Sequence, residues 1–300
     1  LGSYLMTAVY QCICVTAAMF LTGQASNPLA AQVAASSFGY AVDWTSWFVA
    51  GIVPGVCSLA VIPLVVLRLN APQIRRTPEA AAFARRELLA MGRMSGREWA
   101  ALGVFVSVCV AWITSRWHGL NITLTALLGS SALLLTGVLS WEDVKNEKAA
   151  WDIFIWYGGL LMLARELNAA GVTTVFARAV GSALAAASWP VLLAVALLAY
   201  FYAHYSFASI TAHILAMYSP FLAVLAAKGA PLGLAVYAFA CFANLAAGLT
   251  NYGTTPSPMF FAHGYVSLGR WWKTGAAVSV INIAIWSAVG FWWWKLIGVW

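Results

Sequence analysis

Two polar stretches hold the residues in this sequence best suited to chemistry. Thr22-Gly23-Gln24-Ala25-Ser26-Asn27-Pro28 interrupts one apolar run, and Thr250-Asn251-Tyr252-Gly253-Thr254-Thr255-Pro256-Ser257-Pro258 interrupts another. Each contains Gly-x4-Pro, from Gly23 to Pro28 and from Gly253 to Pro258. Glycine and proline weaken a helix. Backbone groups freed at bilayer depth survive only where they are buried in protein or line a cavity. Gly23, Pro28, Gly253, Pro256 and Pro258 are therefore read as the residues that break two membrane helices. The chemistry such breaks offer is reversible anion binding. Half-helix N-termini present N–H groups and a favourable dipole, and Ser26, Asn27, Thr254, Thr255 and Ser257 add neutral donors. The competing reading is that these side chains only satisfy the broken backbone. Paired broken helices in corresponding positions are the pattern of a secondary transporter's binding site.

The elements around these breaks must be membrane helices. Apolar residues make up 63% of the chain, charged residues 8%, and the mean hydropathy is +0.83. A water-soluble domain carries about a quarter charged residues, so a soluble fold is excluded. An all-α membrane domain covering 1–300 is expected. Apolar segments fall at roughly 3–22, 45–67, 99–114, 122–139, 152–168, 190–205, 210–227, 232–249 and 274–298. A full crossing needs about 20 apolar residues, so the shorter segments are expected to cross only part-way. Trp44, Trp47, Trp117, Trp141, Trp151, Trp271, Trp272, Trp292, Trp293 and Trp294 stand near segment ends, as in an interfacial belt.

The net charge of +7 is local rather than general. Arg68, Arg75, Arg76, Arg85, Arg86, Arg93 and Arg97 fall in one loop, and Arg270 and Lys273 in another. Basic loops mark the cytoplasmic side, so 68–98 is read as a cytoplasmic loop and nucleic acid is not an expected partner. Within it Ala80, Ala84, Leu88 and Met91 share one helical face with Arg85 and Arg86 opposite, which predicts a short amphipathic helix at the bilayer surface. Cys12, Cys14, Cys57, Cys109 and Cys241 lie in apolar segments without Cys-x-x-Cys or metal spacing, so they read as packing residues.

Other polar groups are weaker candidates. His204 and His213 flank Ser209 in an otherwise apolar stretch and could donate to an anion or carry a proton. Ser209 and Thr211 taken alone are ordinary helix-packing hydroxyls. His118 reads as interfacial, and His263 as a vestibule candidate at most. Arg165 and Glu166 adjoin in sequence and so do not face each other on a helix. Asp43, Glu142 and Asp143 sit beside tryptophans as boundary residues. Ser209 and His213 are four apart but lack an orienting acid and a Gly-x-Ser-x-Gly elbow, so no enzyme is expected. A channel would need a continuous polar pore, whereas the polar groups here gather at two discontinuities.

Five strings together resemble one family. They are Thr16-Ala17-Ala18-Met19-Phe20-Leu21-Thr22-Gly23-Gln24-Ala25-Ser26-Asn27-Pro28-Leu29-Ala30, Ser140-Trp141-Glu142-Asp143-Val144, Ile155-Trp156-Tyr157-Gly158-Gly159-Leu160, His204 through His213, and Leu249 through Pro258. They resemble the divalent anion:sodium symporter family. The similar branch holds the plastid 2-oxoglutarate/malate translocators and the bacterial citrate/succinate and tartrate/succinate antiporters.

That resemblance implies a fold of two inverted repeats, each with a re-entrant hairpin and a broken helix. It implies exchange of di- or tricarboxylates (2-oxoglutarate, malate, succinate, citrate or tartrate) by alternating access, with sodium-coupled symport as the alternative and an anion channel more remote. Gly23 to Pro28 and Gly253 to Pro258 correspond to the two broken helices, and Ser209-Ile210-Thr211 to the second hairpin's Ser-Asn-Thr motif. The implied substrate contacts are Ser26, Asn27, Ser209, Thr211, Thr254, Thr255 and Ser257, with His204 and His213 beside them. Ile210 departs from the motif. Asparagine offers a carbonyl oxygen to a cation and an amide to a carboxylate, and isoleucine offers neither. Sodium binding is therefore expected to be weak or absent, at most residual near Gly23 and Ser209, and no other cofactor is expected. The first hairpin would precede Leu1, so the chain reads as an amino-terminally incomplete transport domain. A homodimer is implied, in a bacterial inner membrane or, alternatively, the plastid inner envelope.

Overall fold

The computed structural model describes residues 1–300 except 75, 149, 152–161, 163–165, 167–168, 172–174 and 176–186. Most of the apolar segment expected at 152–168, the string at 155–160 and Arg165 thus lie outside the described residues, as does Arg75. In chain order the first helices are α1 (Gly2–Met19), α2 (Ser26–Phe38), α3 (Trp44–Leu69), α4 (Ala80–Met91), α5 (Gly96–Ile113), α6 (Ser115–His118), α7 (Ile122–Leu135) and α8 (Trp141–Asn146). They are followed by α9 (Trp189–Ala203), α10 (Ile210–His213), α11 (Ser219–Ala227), α12 (Leu232–Ala246), α13 (Pro256–Ala262), α14 (Leu268–Ile285) and α15 (Phe291–Leu296). A π-type turn at Ile214–Tyr218 joins α10 to α11, and another at Trp286–Gly290 joins α14 to α15. The fold is all-α.

Among the described residues seven helical runs are long and apolar enough to cross a bilayer: Gly2–Met19, Trp44–Leu69, Gly96–Ile113, Trp189–Ser206, Ile210–Ala227, Leu232–Leu249 and Leu268–Leu296. The protein is a multi-pass membrane protein. The segment expected at 122–139 forms a shorter apolar helix, Ile122–Leu135.

The chain divides into two compact units, residues 1–72 with 157–300, and residues 73–156. In the first, α12 is the axis. Every residue from Gly233 to Ala246 is buried, because α1, α9, α11 and α14 pack around it. Its alanine-rich sequence lets neighbouring backbones approach closely, the packing that replaces hydrophobic drive between membrane helices. Asn70, just past the end of α3, donates from Nδ2 to Thr274 Oγ1 at 2.9 Å, fixing α3 to α14.

In the second unit α4 spans Ala80–Met91, as its apolar spacing predicts. Its two faces are only partly segregated. At about 100° per residue, Leu89 falls on the arginine side and Glu87 near the alanine side, and Leu88, Leu89 and Met91 are all exposed. Of the three acidic residues read as boundary markers, Asp43 and Asp143 take part in helix capping, whereas Glu142 pairs with Lys145 on the surface of α8. Asp43 accepts from Ser46 N at 2.7 Å to open α3. Ser140 and Asp143 form a capping box that opens α8, and these hydrogen bonds from Ser140 hold the Asp143 carboxyl below its ordinary pKa.

The tryptophans divide into two groups. Trp117, Trp141 and Trp292 are exposed, as a belt requires, whereas Trp47, Trp271 and Trp294 are fully buried. Buried indoles at bilayer depth need an acceptor. Trp47 Nε1 finds Ala18 O at 2.9 Å and Trp294 Nε1 finds Ala50 O at 2.9 Å. The belt expectation is corrected for these three residues: Trp47 and Trp294 tie one helix backbone to the next, whereas the Trp271 indole N–H has no hydrogen-bond partner among the described residues.

Candidate binding site at the two helix breaks

The first break begins where α1 stops at Met19 and Phe20 turns extended, with φ −121° and ψ 132°. The chain resumes as α2 at Ser26. The carbonyls left open at the end of α1 are satisfied by Asn27. Its Nδ2 donates to Ala17 O at 2.7 Å and to Phe20 O at 2.9 Å. Trp44 reaches in from α3 and donates to Thr22 Oγ1 at 3.2 Å. Asn27 is fully buried, and its own oxygen accepts from Asn244 Nδ2 of α12 at 2.7 Å. In this structure Asn27 is a brace of the broken backbone. Ser26 is also fully buried, and its Oγ has no hydrogen-bond partner among the described residues.

The second break follows α12. A single 3-10 turn at Ala247–Leu249 leads into an irregular stretch, and α13 starts at Pro256. Side chains of α1 hold this break. Gln11 Nε2 donates to Gly248 O at 2.8 Å, and Tyr10 Oη donates to Ala247 O at 2.7 Å while touching Ser257 Oγ. Trp272 of α14 donates to Asn251 Oδ1 at 3.2 Å. The backbone of α14 itself presses on the break, since a Cβ on Gly275 would stand 2.5 Å from Gly248 O. Gly253 has the same constraint, as its Cβ would meet Ala247 O and His204 Nε2, each at 2.9 Å.

The polar residues expected to touch an anion have different surroundings. Thr255 is exposed, and Ser209 and Thr211 are half-buried at the start of α10, which packs beside α2. Thr254 is buried, and its backbone N–H donates to Ser257 Oγ at 3.2 Å. Ser257 is fully buried. His204 and His213 are fully buried as well, their Nδ1 atoms 3.2 Å apart, and His204 Nε2 is 2.9 Å from Gly253 O. Ile210, at the centre of the Ser209–Thr211 segment, is 3% exposed. Among the site residues expected from the sequence, Gly23, Pro258 and Thr255 are exposed, and Ser209 and Thr211 are half-buried. Among the described residues no cluster of His, Cys, Asp or Glu could hold a metal ion.

A family model described as "sodium:sulfate symporter transmembrane region" matches residues 1–300. The chain belongs to that family. The family's description names a transporter rather than an enzyme. The chain is 43% identical over 300 residues to the putative malate transporter YflS of Bacillus subtilis, covering all of this chain and 63% of the relative. It is 38% identical over 302 residues to the chloroplastic dicarboxylate transporter 1 of Arabidopsis thaliana, covering all of this chain and 54% of the relative. The inner membrane protein YbhI of Escherichia coli is 32% identical over 301 residues, again over the full chain and 63% of the relative. The chain therefore spans between half and two-thirds of the length of these relatives.

Sequence reasoning did not find Tyr10, Gln11 or Asn244, the side chains that hold the breaks. A signal was present for two of them. Gln11 and Asn244 are lone amides in otherwise apolar helices, and a buried polar group in a bilayer needs a stated partner. Nothing in the sequence distinguished Tyr10 from the other ten tyrosines.

Proposed function

We propose that the protein carries dicarboxylates across a membrane as an exchanger. The anion would be held where the two helix breaks meet. The observation that carries this reading is the direct link between them. Asn244, five residues before the 3-10 turn's end at Leu249, hydrogen-bonds Asn27 at the start of α2. This brings both interrupted helices into one bundle that could grip one small anion. The names of the relatives supply the substrate class, since a putative malate transporter and chloroplastic dicarboxylate transporters match over the whole chain. A carboxylate entering a dry site must trade water for donors. Thr255, Ser209 and Thr211 offer hydroxyls, and the N-terminus of α2 offers backbone N–H groups and a dipole.

Exchange is preferred over sodium coupling because of Ile210. An apolar, buried side chain at the centre of the tip gives no oxygen to a cation and no amide to a carboxylate. Sodium-coupled symport is the second reading, favoured by the family's description. Uptake of labelled malate by the full-length protein in liposomes separates the two. Vesicles are left empty or preloaded with unlabelled 2-oxoglutarate, each with and without external sodium. Uptake confined to preloaded vesicles and indifferent to sodium is the expected result. Sodium-driven uptake into empty vesicles would replace exchange by symport, and no uptake of any dicarboxylate would remove the substrate assignment.

A further inference from the structure

The hydrogen bonds around Gly253 have a common direction. A carbonyl oxygen can only accept, so the 2.9 Å contact to Gly253 O requires a proton on His204 Nε2. A neutral His204 then has a bare Nδ1, and the 3.2 Å contact between the two Nδ1 atoms requires His213 to donate. In a trans peptide the N–H of Thr254 points opposite to the C=O of Gly253, and it donates to Ser257 Oγ at 3.2 Å. Tyr10 Oη gives its proton to Ala247 O at 2.7 Å, so Ser257 must supply the proton for the Ser257–Tyr10 contact. His213, His204, the Gly253–Thr254 peptide, Ser257, Tyr10 and the Ala247 carbonyl therefore form one chain with every donor pointing the same way. Such aligned chains polarise and strengthen one another in a low-dielectric interior. Tyr200 and Phe207 both stack on the His213 ring, with centroids 4.1 Å and 5.1 Å from it.

We propose that this chain is a positioning relay. It ties the segment carrying Ser209 and Thr211 to the second helix break and to α1, and it fixes the Gly253–Thr254 peptide beside exposed Thr255. His204, His213, Ser257 and Tyr10 then act on the anion through Gly253 to Thr255 rather than by touching it. The inference rests on the transport reading for its kinetic consequence, while the relay itself can be measured without transport.

The test uses amides that replace one ring nitrogen at a time. An asparagine amide stands where Nδ1 stands, and a glutamine amide where Nε2 stands. His213 uses only Nδ1, so His213→Asn keeps the link and His213→Gln breaks it. His204 reaches Gly253 through Nε2, so His204→Gln keeps that contact and His204→Asn loses it. In malate exchange by the full-length protein, His213→Gln and His204→Asn are expected to raise KM about five- to tenfold. His213→Asn should stay within about threefold of the parent, about the weight of a partly retained neutral hydrogen bond, and His204→Gln, which keeps the Gly253 contact but loses the His213 link, should match His213→Gln rather than the parent. Tyr10→Phe, which cuts the other end, should resemble the link-breaking pair. Hydrogen–deuterium exchange of the amides at 250–257 should rank the same variants in the same order, a readout that packing alone would not order by nitrogen. If His213→Asn and His213→Gln behave alike in amide exchange, the relay is overturned. If the parent protein exchanges no dicarboxylate, the transport reading fails, and the amide-exchange ranking still decides the relay.

Discussion

Asn27 Oδ1 accepts a hydrogen bond from Asn244 Nδ2 at 2.7 Å, joining the first interrupted helix to the helix that precedes the second interruption. The bracing is reciprocal, for Tyr10 and Gln11 of α1 hold the carbonyls of Ala247 and Gly248. Each broken helix is thus held by side chains from the helix leading into the other. A displacement of one break is therefore resisted at the other.

This linkage can be measured by a double-mutant cycle. Asn27→Ala removes the side-chain donor shared by the Ala17 and Phe20 carbonyls and the acceptor of Asn244, and should cost about 1–3 kcal/mol of stability. Asn244→Ala should cost less, because it removes two donor contacts from one amide nitrogen. The coupling between the two, read from thermal unfolding in detergent, is expected near 1 kcal/mol. Strictly additive losses would mean the amide pair is incidental.

Gly253→Ala places a methyl 2.9 Å from both Ala247 O and His204 Nε2. The break must open or His204 must leave, and overpacking of this kind costs about 1–3 kcal/mol. Exchange should fall at least about tenfold, the kinetic equivalent of 1.4 kcal/mol. Gly269→Ala is the control, because nothing lies within 4 Å of the added methyl and the helix should gain about 0.5–1 kcal/mol. Equal activity of the two variants would show that Gly253 tolerates a side chain.

Thr255→Val removes a hydroxyl from an exposed residue and keeps its shape. Loss of one neutral hydrogen bond to the anion predicts a KM about two- to tenfold higher with little change in kcat. Parent-like kinetics would return Thr255 to a role in the backbone break alone.

Ile210→Asn restores an amide at the centre of the segment from Ser209 to Thr211. If the missing amide is what weakens cation binding, malate affinity of this variant should rise with external sodium. The residue is buried, so the change should also lower the melting temperature unless sodium is present. A variant as indifferent to sodium as its parent would show that the cation site differs at more than this position.

Composition alone decided that this is a helical membrane protein, because a chain with 8% charged residues cannot present a soluble surface. The two Gly-x4-Pro strings located both breaks, since glycine and proline act through the local backbone wherever they stand. The helix at Ala80–Met91 was legible for the same local reason. Tertiary structure decided which partners within the protein each polar group has. Asn27, Ser257, His204 and His213 look like ligand contacts in sequence, but packing engages each of them within the protein. Buried Trp47 and Trp294 likewise look like belt residues until neighbouring carbonyls appear beside them. A hydrogen bond between residues more than 200 positions apart, such as Asn27 to Asn244, leaves no periodicity or spacing in the chain. Only the packing of α1, α2 and α12 around one another creates it.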